Sequence, residues 1–164
     1  MKLSENEFNY VYNEYSKHIY NIAYGYTRNK DDATDIMQNC FLKLLSCNKH
    51  FNSNEDIKYF MIRVCINECL DLLKSSHKKK VINSNDFISN YSDNFDDKSD
   101  SVLLTKIAES VNLLKEKYKK VIILYYYDQM NVKSIANTLN ISESAVKKRL
   151  ERARKIMKEL IERR

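Results

Sequence analysis

Apolar residues recur at intervals of three and four along most of the chain, and no segment alternates convincingly with a period of two. That interval lays a stripe along an α-helix, so the pattern predicts an all-α protein. A first helix opens on Ser4 and Glu7, a Ser-x-x-Glu capping box, and is expected to bury Phe8, Val11, Tyr12, Tyr15, Ile19, Ala23 and Tyr26. A second runs from about Asp31 to Cys47, with Ala33, Ile36, Met37, Cys40, Phe41, Leu44 and Leu45 on one side. A third, from about Glu55 to Ser75, is expected to bury Ile57, Phe60, Met61, Val64, Cys65 and Leu72. The period then lapses. Residues 76–100, SHKKKVINSNDFISNYSDNFDDKSD, are rich in Ser, Asn and Asp, and so long a loop is uncommon inside one compact domain. They read as a linker between a domain of residues 1–75 and one of residues 101–164.

Two helices, about Ser101–Leu114 and Glu116–Asp128, lead to the most informative stretch, VKSIANTLNISESAVKKRL from Val132 to Leu150. The spacing of Ile135, Ala136, Leu139, Ile141 and Val146 lets one helix bury a face, turn sharply and receive a second helix across it. Ala136 is small where the helices approach, and Asn140 occupies the turn, where a left-handed backbone is needed. Ser142 is a suitable N-cap, and Glu143 suits the positive end of the next helix dipole. That helix runs from about Ser142 to Ile161, with Val146, Leu150, Ala153, Met157 and Leu160 inward. Ser144, Lys147, Lys148, Glu151, Arg152 and Lys155 face outward, flanked by Arg149 and Arg154.

Charge sharpens this picture. The chain of 164 residues carries a net +6, yet residues 101–164 hold 15 Lys and Arg against seven Asp and Glu, a net +8. Residues 1–75 hold nine against ten, and residues 76–100 four against five. The basic excess thus belongs to the segment with the helix-turn-helix pattern, as expected if that segment meets phosphate. A solvated charged face on an ordinary surface helix is the plain alternative.

Other chemistry is sparse. Four cysteines, Cys40, Cys47, Cys65 and Cys69, form no Cys-x-x-Cys pair, and no His stands at finger spacing. Cys65 and Cys69 lie one helical turn apart, a conceivable metal or redox pair, but buried thiols in a reducing compartment fit better. No paired-carboxylate, metal or nucleophile constellation stands out, so neither an enzyme nor a cofactor is expected. The longest apolar run, Val121–Tyr127, is far short of a membrane span, and the opening MKLSENEFNY is too charged for a secretory leader. A cytoplasmic protein without membrane insertion is expected.

Against that background three motifs stand out. DDATDIMQNCFLKLL, Asp31–Leu45, resembles the D-A-x-D-[LI]-x-Q-x-x-F-[LI] pattern in the second conserved region of bacterial sigma factors. RVCINECLD, Arg63–Asp71, is similar to the R-x-x-x-N-x-x-x-D run of the same region. Ile135–Arg154 resembles the IA-x-x-L-x-IS-x-x-[TA]-V-K-x-R-L-x-R-AR pattern of their fourth region. With only a linker between the two regions, the chain resembles the reduced, extracytoplasmic-function type over nearly its whole length. The resemblance implies two small helical domains joined by a polar linker. The first is a three-helix domain like region 2, and the second a helix-turn-helix domain like region 4.

It also implies roles. Asp35, Gln38, Asn39, Phe41 and Leu42 would dock on core RNA polymerase, with Asn39 where the family commonly has Glu. The loop and first turns of the third helix, His50 to Tyr59, would capture a flipped base of the minus-ten element. Asn52, Ser53, Asn54, Lys58 and Tyr59 are the candidates there. Arg63, Asn67 and Asp71 match the promoter-contacting run, with Phe60 for the usual Trp and Ile66 for a frequent Arg. Asn67 and Asp71 as mere exposed i,i+4 partners is the plain alternative. Lys147, Lys148 and Glu151 would face bases of the minus-35 element, with Ser144 on the same face. Lys133, Arg149 and Arg152 would hold phosphates.

The linker's Asp86, Asp93, Asp96, Asp97 and Asp100 would thread toward the polymerase active-site path, or else serve as a solvated tether. Its residues could span at most about 80 Å, against about 70 Å for two turns of DNA. Promoter DNA, core polymerase and an anti-sigma factor are the partners implied. Two other readings stay open at this point. One is a helix-turn-helix transcription regulator whose first domain dimerises or senses a ligand. The other is a helical interaction protein whose basic helix binds an acidic partner.

Overall fold

The structure, a computed structural model, describes residues 3–75 and 98–163. The proposed linker, with Asp86, Asp93, Asp96 and Asp97, lies outside the described residues apart from its last three positions, which belong to a helix. The chain divides into two compact units, Met1–Lys80 and Val81–Arg164. Every regular element among the described residues is helical.

In the first unit α1 (Glu5–Thr27), α2 (Lys30–Ser46) and α3 (Asn54–Ser75) each pack on the other two. Their boundaries follow from local chemistry. Ser4 N–H donates to Glu7 Oε2 at 2.8 Å and Glu7 N–H to Ser4 Oγ at 3.2 Å, which closes the capping box. Arg28 ends α1 in the left-handed region, at φ 52° and ψ 31°, and its N–H donates to Tyr24 O. Asn29 then caps α2 through Oδ1, which accepts from Asp32 N–H at 2.9 Å. Ser53 Oγ accepts from Asp56 N–H at 3.2 Å and starts α3.

The capping hydrogen bonds hold the Glu7 carboxyl below its ordinary value of 4.5, chiefly through the Ser4 backbone and then its hydroxyl. A depressed carboxyl stabilises the fold above its ordinary pKa and loses that contribution as pH falls through its lowered one. Glu7→Gln should therefore be less stable than the unaltered protein at pH 7. The gap should close on acidification below pH 4.5. Urea unfolding between pH 7 and pH 3 measures this; a gap that is constant with pH would show that Glu7 contributes no charge-dependent stability.

The core is formed by Val11, Tyr15, Ile19, Ile22, Ala23 and Tyr26 of α1, Ala33, Ile36, Cys40, Phe41 and Leu44 of α2, and Ile57, Met61, Ile62, Cys65, Ile66 and Cys69 of α3. This differs from the expected stripes at their margins. Tyr12 and Leu45 are exposed, and Phe8, Met37, Phe60, Val64 and Leu72 are only half-buried. Ile62, Ile66 and Cys69 take the interior places on α3 instead. A helix that touches two neighbours buries two adjoining stripes, and α3 is wedged against both α1 and α2. Ile66 is thus a core residue where the family frequently has Arg.

Three of the four free cysteines, Cys40, Cys65 and Cys69, are wholly buried. Hydrogen bonding from Cys40 and Cys69, with burial, pushes the Cys65 thiol up, so it stays protonated at neutral pH. Its Sγ donates to Ile19 O at 3.5 Å.

The second unit holds α4 (Lys98–Leu113), α5 (Glu116–Ile122), a π-helical segment (Ile123–Tyr127), α6 (Val132–Leu139) and α7 (Glu143–Glu162). The expected single helix over Glu116–Asp128 changes its hydrogen-bond ladder at Ile123, where Asp128 N–H reaches back to Ile123 O. α4, α5 and α6 all rest on α7. Val111, Tyr118, Val121, Ile122, Ile123, Leu124, Ile135, Val146, Leu150 and Ala153 form the core.

Candidate functional site

The helix-turn-helix is built by short-range hydrogen bonds. Asn131 Oδ1 caps α6 by accepting from Ser134 N–H at 2.8 Å. Asn140 takes the left-handed turn, φ 57° and ψ 47°, and Ile141 N–H donates to Ala136 O at 3.0 Å to close it. Ser142 Oγ accepts from Ala145 N–H at 3.0 Å and starts α7. Ile135, Ala136, Val146, Leu150 and Ala153 hold the two helices face to face, as their spacing predicts.

This leaves one side of α7 clear. Ser144, Lys147, Lys148, Glu151 and Arg152 are exposed at intervals of three and four, hence on one continuous face. From Ser144 to Arg152 that face rises about 12 Å, matching a major groove about 12 Å wide. Arg149 is half-buried at its flank, and Lys133 is exposed near the start of α6. Among the described residues, none of these charged side chains is engaged in an ion pair. The face therefore has its cationic donors and its one carboxylate, Glu151, available to a ligand.

In the first unit the outer face of α2 presents Asp35, Gln38, Asn39 and Leu42, all exposed. Leu42 is 62% exposed, and Leu45 at 42% extends the face by one turn. Phe41 is a correction to the expected contact set. At 3% exposed it faces inward, against Tyr12 at 4.8 Å and Phe8 at 6.0 Å between ring centroids. It supports the face from beneath and cannot touch a partner without unpacking the core. Lys43 pairs with Glu68 across α2 and α3. That hydrogen bond, and to a lesser degree the nearby charges of Glu68 and Asp71, holds the ammonium above its usual pKa.

The loop before α3 contributes to a cleft of about 520 Å³. Lys49, His50, Phe51, Asn52, Ser53, Asn54 and Ile57 form one wall, and Leu3, Asn6, Glu7, Tyr10 and Val11 the other. The structure thus brings Asn52, Ser53 and Asn54 together, with the Ser53 hydroxyl already used as the α3 cap. Tyr15 Oη donates to Asn54 O at 3.1 Å, and Phe51 meets Phe60 edge to face at 5.3 Å, which pins the loop. Lys58 and Tyr59 are half-buried and do not line the cleft. Arg63, Asn67 and Asp71 are exposed along a separate stripe of α3. The α1 wall was invisible to sequence reasoning. Its one signal is Tyr10, an aromatic outside the buried stripe and 52% exposed. A second, mostly apolar groove of about 570 Å³ lies in the other unit, between α4, the π segment and the end of α7.

Comparison with known proteins bears on what these surfaces are for. Residues 11–79 match the family described as Sigma-70 region 2, and residues 104–157 match Sigma-70, region 4. RNA polymerase sigma factor SigV of Bacillus subtilis (strain 168) is 29% identical over 147 residues, which are 88% of this chain and 85% of that one. ECF RNA polymerase sigma factor SigM of the same organism is 27% identical over 155 residues, 93% and 94% of the two chains. Among solved structures, CnrH in complex with the cytosolic domain of CnrY has a TM-score of 0.70 at 18% identity, over 97% of this chain and 90% of that one. Sigma factor RpoE of Bartonella quintana, in complex with the anti-sigma factor NepR, has a TM-score of 0.64 at 17% identity, over 96% and 98%. No helix among the described residues is long and apolar enough to cross a membrane. With its residues 11–79 matching region 2 and its residues 104–157 matching region 4, the chain belongs to the sigma-70 family, as an alternative sigma factor of the extracytoplasmic-function type.

Proposed function

We propose that this chain divides the work of promoter-specific initiation between its two units. The outer face of α2 (Asp35, Gln38, Asn39 and Leu42, extended by Leu45) docks on core RNA polymerase. The face of α7 reads the minus-35 element: Lys147 and Lys148 donate to guanine edges, and Glu151 accepts from cytosine N4. Lys133, Ser144, Arg149 and Arg152 hold the flanking phosphates and set the register. The cleft beside Asn52, Ser53 and Asn54 receives an extruded base of the minus-ten element. Tyr10 offers it a stacking surface, and Lys58, Tyr59, Arg63 and Asn67 follow the strand. Asp71 repels phosphate, and its part is electrostatic support of Lys43. Residues 76–100 serve as the tether between residues 1–75 and residues 101–164. The chemistry of transcription belongs to the polymerase. The protein acts in the cytoplasm, and an anti-sigma factor, as in the Bartonella quintana complex, is its proposed regulator.

The observation that carries this reading is the exposed face of α7, whose charged groups are uncommitted among the described residues. The test is transcription by sigma-free bacterial core polymerase on fragmented source DNA, with and without the protein, followed by sequencing of the 5′ ends. New start sites sharing two upstream motifs are expected. Their absence, alongside duplex binding by the protein alone, would instead support a helix-turn-helix regulator acting on paired half-sites.

A further inference from the structure

Arg154 stands seven residues beyond Lys147 and three beyond Glu151, hence on the same side of α7 as the base-facing candidates. By position alone it would be one more cation for a phosphate. Its surroundings assign it otherwise. Its Nε donates to Tyr126 Oη at 2.7 Å, and its guanidinium lies 5.5 Å from the Tyr125 ring centre and 5.6 Å from that of Tyr126. The two rings meet each other edge to face at 4.9 Å. One hydrogen bond to a charged donor and two cation–π contacts thus converge on a single side chain.

The π segment makes this convergence possible. A ladder that closes five residues back holds more residues per turn than an α-helix, so consecutive side chains diverge by a smaller angle. Tyr125 and Tyr126 can then address one guanidinium. Position along α7 matters equally. Its fully buried anchors, Val146, Leu150 and Ala153, end one residue before Arg154, and Met157, Leu160 and Ile161 beyond it are only half-buried. The contact therefore fixes the helix where apolar packing thins.

We infer that Tyr125, Tyr126 and Arg154 form a latch that sets the rotation of α7 against the π segment that continues α5, and that Arg154 is a positioning residue for base reading. A small rotation of α7 displaces Lys147 and Glu151 from base edges, where geometry is strict. Flexible side chains on phosphates accommodate the same rotation. The inference rests on α7 being the promoter-reading helix.

The test uses the full chain with core polymerase, the strongest promoter fragment recovered in the transcription experiment above, and single-base variants of its upstream motif. Tyr126→Phe and Arg154→Lys should each lower discrimination between the fragment and its variants about tenfold, the scale of one hydrogen bond to a charged group. The double variant should lose little more, and the salt dependence of duplex binding should stay unchanged. A phosphate contact behaves differently: Tyr126→Phe is silent, Arg154→Lys is nearly so, and Arg154→Gln weakens all duplexes alike with a salt slope lower by about one. That pattern, or additive losses, would overturn the latch. A readout independent of promoters is the Arg154 Nε–H signal in ¹H–¹⁵N spectra of the free protein, expected to move toward its solvent-exposed position in Tyr126→Phe. An unmoved signal would overturn the latch. Should the unaltered protein yield no start sites, the promoter-reading assignment fails while this signal still decides whether the latch exists.

Discussion

Asp35→Arg should weaken the affinity of this protein for core RNA polymerase by thirtyfold or more, and Leu42→Ala by about the same factor. Truncation of a side chain that anchors the centre of a contact face costs about 2 kcal/mol or more, and Leu42 is the most exposed large apolar side chain of the α2 face. Reversal of a charge that faces a partner costs about 2–5 kcal/mol. Both side chains are exposed and neither belongs to the buried stripe of α2, formed by Ala33, Ile36, Cys40, Phe41 and Leu44. Thermal unfolding should therefore be nearly unchanged, since surface substitutions of this sort stay within about 0.5 kcal/mol. Phe41→Ala is the control with the opposite signature. It removes a core ring that Phe8 and Tyr12 pack against, and should lower stability by about 3–5 kcal/mol. Fluorescence titration of labelled core enzyme separates the two cases. Unaltered affinity in both Asp35→Arg and Leu42→Ala would remove the outer face of α2 from the docking surface.

That contrast between Phe41 and Leu42 also marks the limit of sequence reasoning. What depends on a few consecutive residues was legible: the Ser4–Glu7 capping box, the left-handed Asn140 and the Ser142 cap are each where the residue types placed them. Each is decided within one turn of chain, so no distant neighbour can override it. The helices themselves were equally legible, because a long stripe averages over local ambiguity. The margins of the stripes were not. Tyr12 and Leu45 sit one step outside their arcs, and Ile62, Ile66 and Cys69 one step inside. The difference lies in how many neighbours each helix meets, which periodicity does not encode. The cleft illustrates this most fully. One wall, Asn52 to Asn54, comes from a loop that motif similarity identified, while the other, with Asn6 and Tyr10, lies on α1 more than forty residues away. The π segment was hidden for a related reason. ILYYY reads as continuous helix, and the departure at Ile123 shows only in which carbonyl the Asp128 N–H reaches. The tyrosine pair that receives Arg154 lies in that segment.

Lys147→Glu should lower promoter-specific transcription about a hundredfold while leaving the affinity for core polymerase intact. The lysine is exposed at the middle of the α7 face, with Glu151 one turn beyond and Lys148 beside it. Loss of a base contact accounts for about 1–3 kcal/mol. The new carboxylate adds repulsion from the phosphates that line the groove, and it places like charges at i and i+4 with Glu151. A second substitution separates reading from attraction. Lys133→Gln removes one cation near the start of α6, and should weaken binding to every duplex by a similar factor. Its salt slope should fall by about one. Lys147→Glu should do more than this, because its loss should be greatest on the best promoter and smallest on duplexes lacking the upstream motif. Binding to promoter and non-promoter duplexes at several salt concentrations distinguishes the two. A loss from Lys147→Glu that is uniform across sequences would reduce α7 to an electrostatic platform. The choice of start site would then rest with the cleft of the first unit alone.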